Sequence, residues 1–261
     1  MGHERVGTLP KTQRWRNVVA QIADWDESPT QVSDIARSVI QNLRSRFRHI
    51  QSDDGVKAAF EFLVALSISS RSQDPHQELL ALGFDIPADP TPLSLAKAVN
   101  KWVESRSGSL EYSQVARSAA IDAIAIWSEK NKPQQTRLFE FTDRSFDIWR
   151  KAGNGIGFCE LARTFFAKFT ERYLNYFLER EASAVLKTIG QRDEFHIEVQ
   201  EHADQISRHA FETAKITQSF AAGWFNKHTI GGMPSEDAIE GFLSIAFGKI
   251  REELLREGEK Q

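Results

Sequence analysis

Only one cysteine, Cys159, occurs in 261 residues, alongside two methionines, three tyrosines and eight prolines. A lone thiol excludes an internal disulfide and any cysteine-built zinc or iron–sulfur site within one chain, which suits a reducing compartment such as the cytoplasm. Few prolines and 15 glycines leave little to interrupt long helices. Long apolar runs are missing too: the most apolar stretch, 58–68, is too short to cross a bilayer and contains Glu61, so no membrane partner is expected. No cationic leader with an apolar core and small-residue cleavage site opens the sequence, and Val6 stands where N-myristoylation wants Ser or Thr.

What is abundant is aromatic bulk, with 18 Phe and 6 Trp. Apolar residues recur at steps of three and four almost throughout, whereas period-two alternation is nearly absent. The expected fold is therefore all-α, a multi-helix bundle with a long C-terminal antiparallel hairpin. Thr12 can cap a first helix that buries Trp15, Val18 and Ile22, and a second helix is expected from Pro29 to about Ile50. The segment 54–70 is apolar nearly all round, which places it among other helices. Further helices are expected at 75–82, 92–104, 110–130 and 144–152. Glycines 153, 155 and 157 then precede a helix with Phe158, Leu161, Phe165, Phe169, Tyr173 and Tyr176 on one side. A helix over 193–227, about 50 Å if unbroken, would turn at Gly231-Gly232-Met233-Pro234 into a last helix lined by Ile239, Leu243, Ala246, Ile250 and Leu254. The polar segment after Lys130 suggests three regions: 1–130 as an N-terminal helical region, 131–143 as a linker or short extended piece, and 144–261 as the aromatic helix plus hairpin, with one core shared between them.

The net charge of −3 hides a gradient. Residues 1–50 carry eight Lys/Arg against five Asp/Glu, and residues 191–261 carry eight against thirteen. Such polarity fits an acidic partner at one end and a basic partner at the other, or contact between the two ends.

Several groups of residues have spacings that chemistry can use. Arg37, Gln41, Arg44 and Arg48 recur at steps of four, three and four, close in sequence to Arg14 and Arg16; a row of guanidiniums of this kind can follow a phosphate backbone or an acidic helix. Arg-x4-His occurs at 44/49 and 71/76, a spacing open to a metal-independent ribonuclease, but 20 Arg and 7 His produce roughly 1.6 such pairs by chance. On a continuous helix Glu198, His202, Gln205, His209 and Glu212 would share one stripe, which would make a helical metalloprotein if a second helix supplied ligands. The spacing matches neither Glu-x-x-His pairs nor His-Glu-x-x-His, and a stripe flanking a helix seam accounts for it equally. Glycines 153–157 lack the Gly-Lys-Ser/Thr of a phosphate loop and the third glycine of a dinucleotide fingerprint, so a helix stop, a turn and a new start explain them. Glu61 and Asp122 lie in apolar helices, where Lys57 and Ser118 four residues upstream offer partners.

The last helix presents Ile239, Phe242, Leu243, Ile245, Phe247, Ile250 and Leu254, an arc wider than one antiparallel neighbour needs. Either the aromatic helix covers it within the chain, or Phe242, Phe247, Ile250 and Leu254 meet another chain. These features together favour a non-catalytic interaction protein without cofactor, a subunit or adaptor whose partners are other proteins or itself. Nucleic-acid binding through the basic helix and metal binding through the histidine stripe are the alternatives.

Overall fold

The computed structural model describes residues 9–43, 49–106, 108, 110–132, 146–211 and 219–256. Among these residues there are eleven α-helices and no strand, as the apolar periodicity requires. In chain order they are α1 (Gln13–Ala23), α2 (Pro29–Asn42), α3 (Asp54–Ser69), α4 (Pro75–Ala81), α5 (Pro92–Glu104), α6 (Leu110–Lys130), α7 (Asp147–Arg150), α8 (Gly155–Val185), α9 (Ile189–Phe211), α10 (Phe220–His228) and α11 (Glu236–Arg256). Short 3-10 turns stand at Ile50–Ser52 and Lys151–Gly153.

Helix starts follow local capping chemistry. Thr12 Oγ1 accepts the Trp15 amide at 3.1 Å, Asp53 Oδ1 accepts those of Gly55 and Val56, and Thr91 and Ser94 form a reciprocal capping box ahead of Pro92. Between α1 and α2 the chain turns through Glu27, which has a left-handed φ of 67°. The second helix ends at Asn42 with Leu43 as its C-cap, shorter than the apolar pattern implies.

Helix α3 is the centre. Thirteen of its sixteen residues are buried, and its Phe60 ring stacks on Phe242 at 4.9 Å while lying near Phe158, Phe165 and Phe166. Helix α8 runs antiparallel to α6, joined by Asp122–Arg172 at 2.6 Å, Lys130–Glu160 and the Tyr112–Tyr173 ring contact. Asp122 thus pairs across helices rather than with Ser118. Helix α9 returns along the other flank of α8, held by Arg163–Asp204 at 3.0 Å and by the Ser207 hydroxyl donating to the Arg163 carbonyl at 2.8 Å.

One continuous hydrophobic cluster runs from Trp15 to Leu254 and includes buried residues of every long helix. Trp15 of α1 donates to Glu181 of α8 at 2.8 Å and Trp25 packs edge-on to Phe195 of α9, so the two halves of the chain share their interior. The expected linker 131–143 and its extended piece lie outside the described residues except for Asn131 and Lys132.

The single long helix expected over 193–227 is two helices. Helix α9 is described as far as Phe211, and α10 begins after Ser219, whose extended backbone (φ −60°, ψ 139°) and side chain cap a fresh start by accepting the Ala221 amide. The final hairpin is therefore α10 and α11, turned at Gly232 with φ 113°.

Candidate protein-interaction surfaces

The wide apolar arc of α11 is covered by its own chain. Phe242, Phe247, Ile250 and Leu254 are at most 2% exposed, and α11 packs against α9, α2, α3 and the 3-10 turn at Ile50–Ser52. Phe242 meets Phe60, Trp224 and Phe220, while Phe247 meets Phe166 and Phe169 edge-on. Covering α11 from several sides needs an arc of that width, so these four residues belong to the interior and offer no partner surface in the folded chain.

The basic row is also divided. Arg14 and Arg16 are exposed on α1, but Arg37 is held by Asp34 at 2.7 Å, which neutralises it. Arg44 and Arg48 fall outside the described residues, as does Glu212. Of the remaining metal candidates, His202 is buried against the bundle whereas His209 is exposed. Among the described residues no three His, Cys, Asp or Glu side chains come together as a metal would need. Burial alone pushes the His202 imidazole down to about 4, so it is neutral at pH 7.

The glycine cluster has a packing explanation. Asn154 Oδ1 caps α8 by accepting the Gly157 amide at 2.9 Å. A side chain at Gly157 would strike the Lys151 carbonyl, and one at Gly155 would come within 2.8 Å of the Asn226 amide. Close approach, not anion binding, sets these residues.

Two surfaces remain, and both were missed in the sequence. The first is the outward face of α9, where a groove of about 590 Å³ is lined by Ile197, Gln200, Glu201, Asp204, Gln205 and Arg208. These positions repeat at helical spacing and extend about 16 Å at 1.5 Å per residue. At one end Asp204 is neutralised by Arg163 and by Arg208 at 2.7 Å. At the other, Glu194, Glu198 and Glu201 follow each other at steps of four and three, with no basic side chain within 4.0 Å among the described residues. Partial burial raises the Glu198 carboxyl above the usual range, and repulsion from Glu201 and Glu194 adds to it. Ile197 lies between these acids with 46% of its surface in water.

The second surface is a corner built from three distant segments. Arg71, just past α3, donates from Nε to the Gly153 carbonyl and from Nη1 to the Thr229 carbonyl at 3.1 Å, with its guanidinium 4.5 Å over the Phe225 ring. Burial lowers its pKa, since its contacts are carbonyls and a ring rather than a carboxylate. This arginine ties the segment that carries Arg150 and Lys151 to the one that carries Lys227 and His228. Arg150 is paired with Asp147 at 3.0 Å, but Lys151 and Lys227 are exposed with no carboxylate within 4.0 Å among the described residues. Ile156 and Ile230, 50% and 86% exposed, stand on the same three segments.

Elsewhere, Glu61 faces Arg106 at 3.6 Å, while Lys57 goes to Asp54 at 2.8 Å and Glu240 at 3.8 Å. The Glu61 carboxyl is raised chiefly by burial. This arrangement joins α3 to the ends of α5 and α11 and reads as an inter-helix tie.

No protein-family model, curated protein or solved structure matches the chain.

Proposed function

We propose that this is a non-catalytic helical interaction protein, a subunit or adaptor that takes a basic, aliphatic segment of a partner along the outward face of α9. The observation that carries the reading is a shallow groove on α9 that holds the exposed Ile197 and Glu201, continued by Glu194 and Glu198 on the preceding turns, with no cation beside these three acids among the described residues. Like charges at helical spacing repel and cost stability, so a partner's lysines or arginines would relieve them. An apolar side chain packed on Ile197 would add contact area. Specificity for a basic partner follows from the charge, and affinity from the apolar contact.

A fluorescein-labelled amphipathic peptide of lysine and leucine is a suitable probe. Wild-type protein should bind it with an affinity that weakens steeply with salt, and Ile197→Asp combined with Glu201→Lys should weaken it at least tenfold, about 1.4 kcal/mol. Equal binding by that variant, with circular dichroism unchanged, would overturn the proposal.

A further inference from the structure

The α9 groove and the Arg71 corner are opposite in two respects and alike in a third. The groove is a shallow depression along α9 and the corner projects, because Ile230 tops the turn between α10 and α11 with 86% of its surface in water. Among the described residues, Glu201 in the groove and Glu194 and Glu198 on the turns before it are acids without cations, whereas Lys151 and Lys227 of the corner are cations without acids. Each surface also displays isoleucine, Ile197 in the groove and Ile156 and Ile230 at the corner. Both surfaces belong to one chain, so every copy carries a donor and an acceptor in equal number.

We infer that the groove on α9 receives the Ile230 corner of a second copy of this chain. The inference rests on the reading of α9 as a docking surface and names its occupant. In the contact, Ile230 enters beside Ile197, and Lys227 and Lys151 approach Glu194, Glu198 and Glu201. The turn can adjust to the groove because Gly231 and Gly232 follow Ile230, and Gly232 already has the left-handed φ that only glycine adopts freely. Arg71 fixes the base of the turn through the Thr229 carbonyl, so little order has to be gained on binding. The two surfaces differ, which makes each contact heterologous; two of them close a pair or successive ones extend a chain.

Sedimentation velocity of the full chain tests this with three proteins: wild type, a corner variant (Lys227→Glu with Ile230→Asp) and a groove variant (Ile197→Asp with Glu201→Lys). All four positions are exposed, and circular dichroism with thermal unfolding checks that each variant folds. Wild type should associate as concentration rises at about 50 mM salt and at least tenfold more weakly at about 500 mM, where the screening length is only a few ångströms. Each variant alone should remain monomeric. Mixed in equal amounts they should form a one-to-one complex, because the intact groove of the corner variant meets the intact corner of the groove variant. Wild type that stays monomeric at low salt, or folded variants that fail to pair on mixing, would overturn the inference. In either case a peptide that still binds the groove leaves the docking reading standing; self-association that survives the groove variant overturns the inference alone, and peptide binding that the groove variant leaves unchanged removes both.

Discussion

Helices α9 and α11 are nearly the same length, 23 and 21 residues, and pack against each other in one core. Their apolar content differs in an instructive direction. The wider arc, on α11, is covered by α9, α2, α3 and the chain between them, with only Ile245 at its edge half exposed. The narrower stripe on α9, Phe195, Val199, Ala203, Ile206 and Ala210, is enough for its inner contacts and leaves an acidic outer face around Ile197. The acidic outer face is therefore on the helix with less apolar residue to bury. Apolar breadth measures how many neighbours a helix has, whichever chain they come from.

The contrast predicts its largest effect in α11. Phe242→Asp with Phe247→Asp should unfold the monomer, since removing a buried Phe alone costs about 3–5 kcal/mol and each carboxylate would have to be buried without a partner. Loss of the helical signal at 25 °C checks it; a folded, dissociated subunit would mean these rings face another chain. The same pair of substitutions separates interior from interface more sharply than any single one.

A smaller effect belongs to α9. His202 titrates at about 4 in the fold against 6.5 for the free side chain. The unfolded chain takes up its proton first as pH falls, so the stability held by neutral His202 is complete above about pH 6.5 and is lost as pH drops towards 4. The loss is at most about 3 kcal/mol. Urea unfolding of wild type and His202→Gln at several pH values between 7 and 4 isolates it, because the carboxylates contribute equally to both. Equal slopes would show that His202 is not sealed between α9 and its neighbours.

The smallest effect lies on the outer face of α11, where a methyl group added at Gly241 or Gly248 would meet nothing within 4 Å. Gly241→Ala and Gly248→Ala should each raise stability by about 0.5–1 kcal/mol through helix propensity, seen as a higher midpoint in thermal unfolding. A decrease would place a neighbouring surface against this side of α11.

Much of the architecture was legible wherever the signal is local. Thr91-Pro92 starts α5 and the all-round apolar pattern of 54–69 identifies the central helix, since caps and periodicity act within a few residues. The break between α9 and α10 was not seen, because helical spacing continues across it; Ser219 ahead of Phe220-Ala221-Ala222 was the available sign of a new start. The site was less legible than the fold. Arg71 and the segments that carry Lys151 and Lys227 are far apart in sequence and are joined by hydrogen bonds from Arg71 to the Gly153 and Thr229 carbonyls, for which residue type carries no code. The breadth of the α11 arc was plain, but not that Phe60, Trp224 and Phe166 would cover it.

The Arg71 joint also sets an order for acid damage. Its acceptors are the carbonyls of Gly153 and Thr229, groups that gain no proton as pH falls through the carboxylate range, and the guanidinium keeps its charge there. Helix α9 is the reverse, since its packing depends on the buried His202 remaining neutral. Acidification thus loosens α9 from its bed while the junction of α3, α8 and α10 still holds, and the first part of the molecule to fail in acid is the groove.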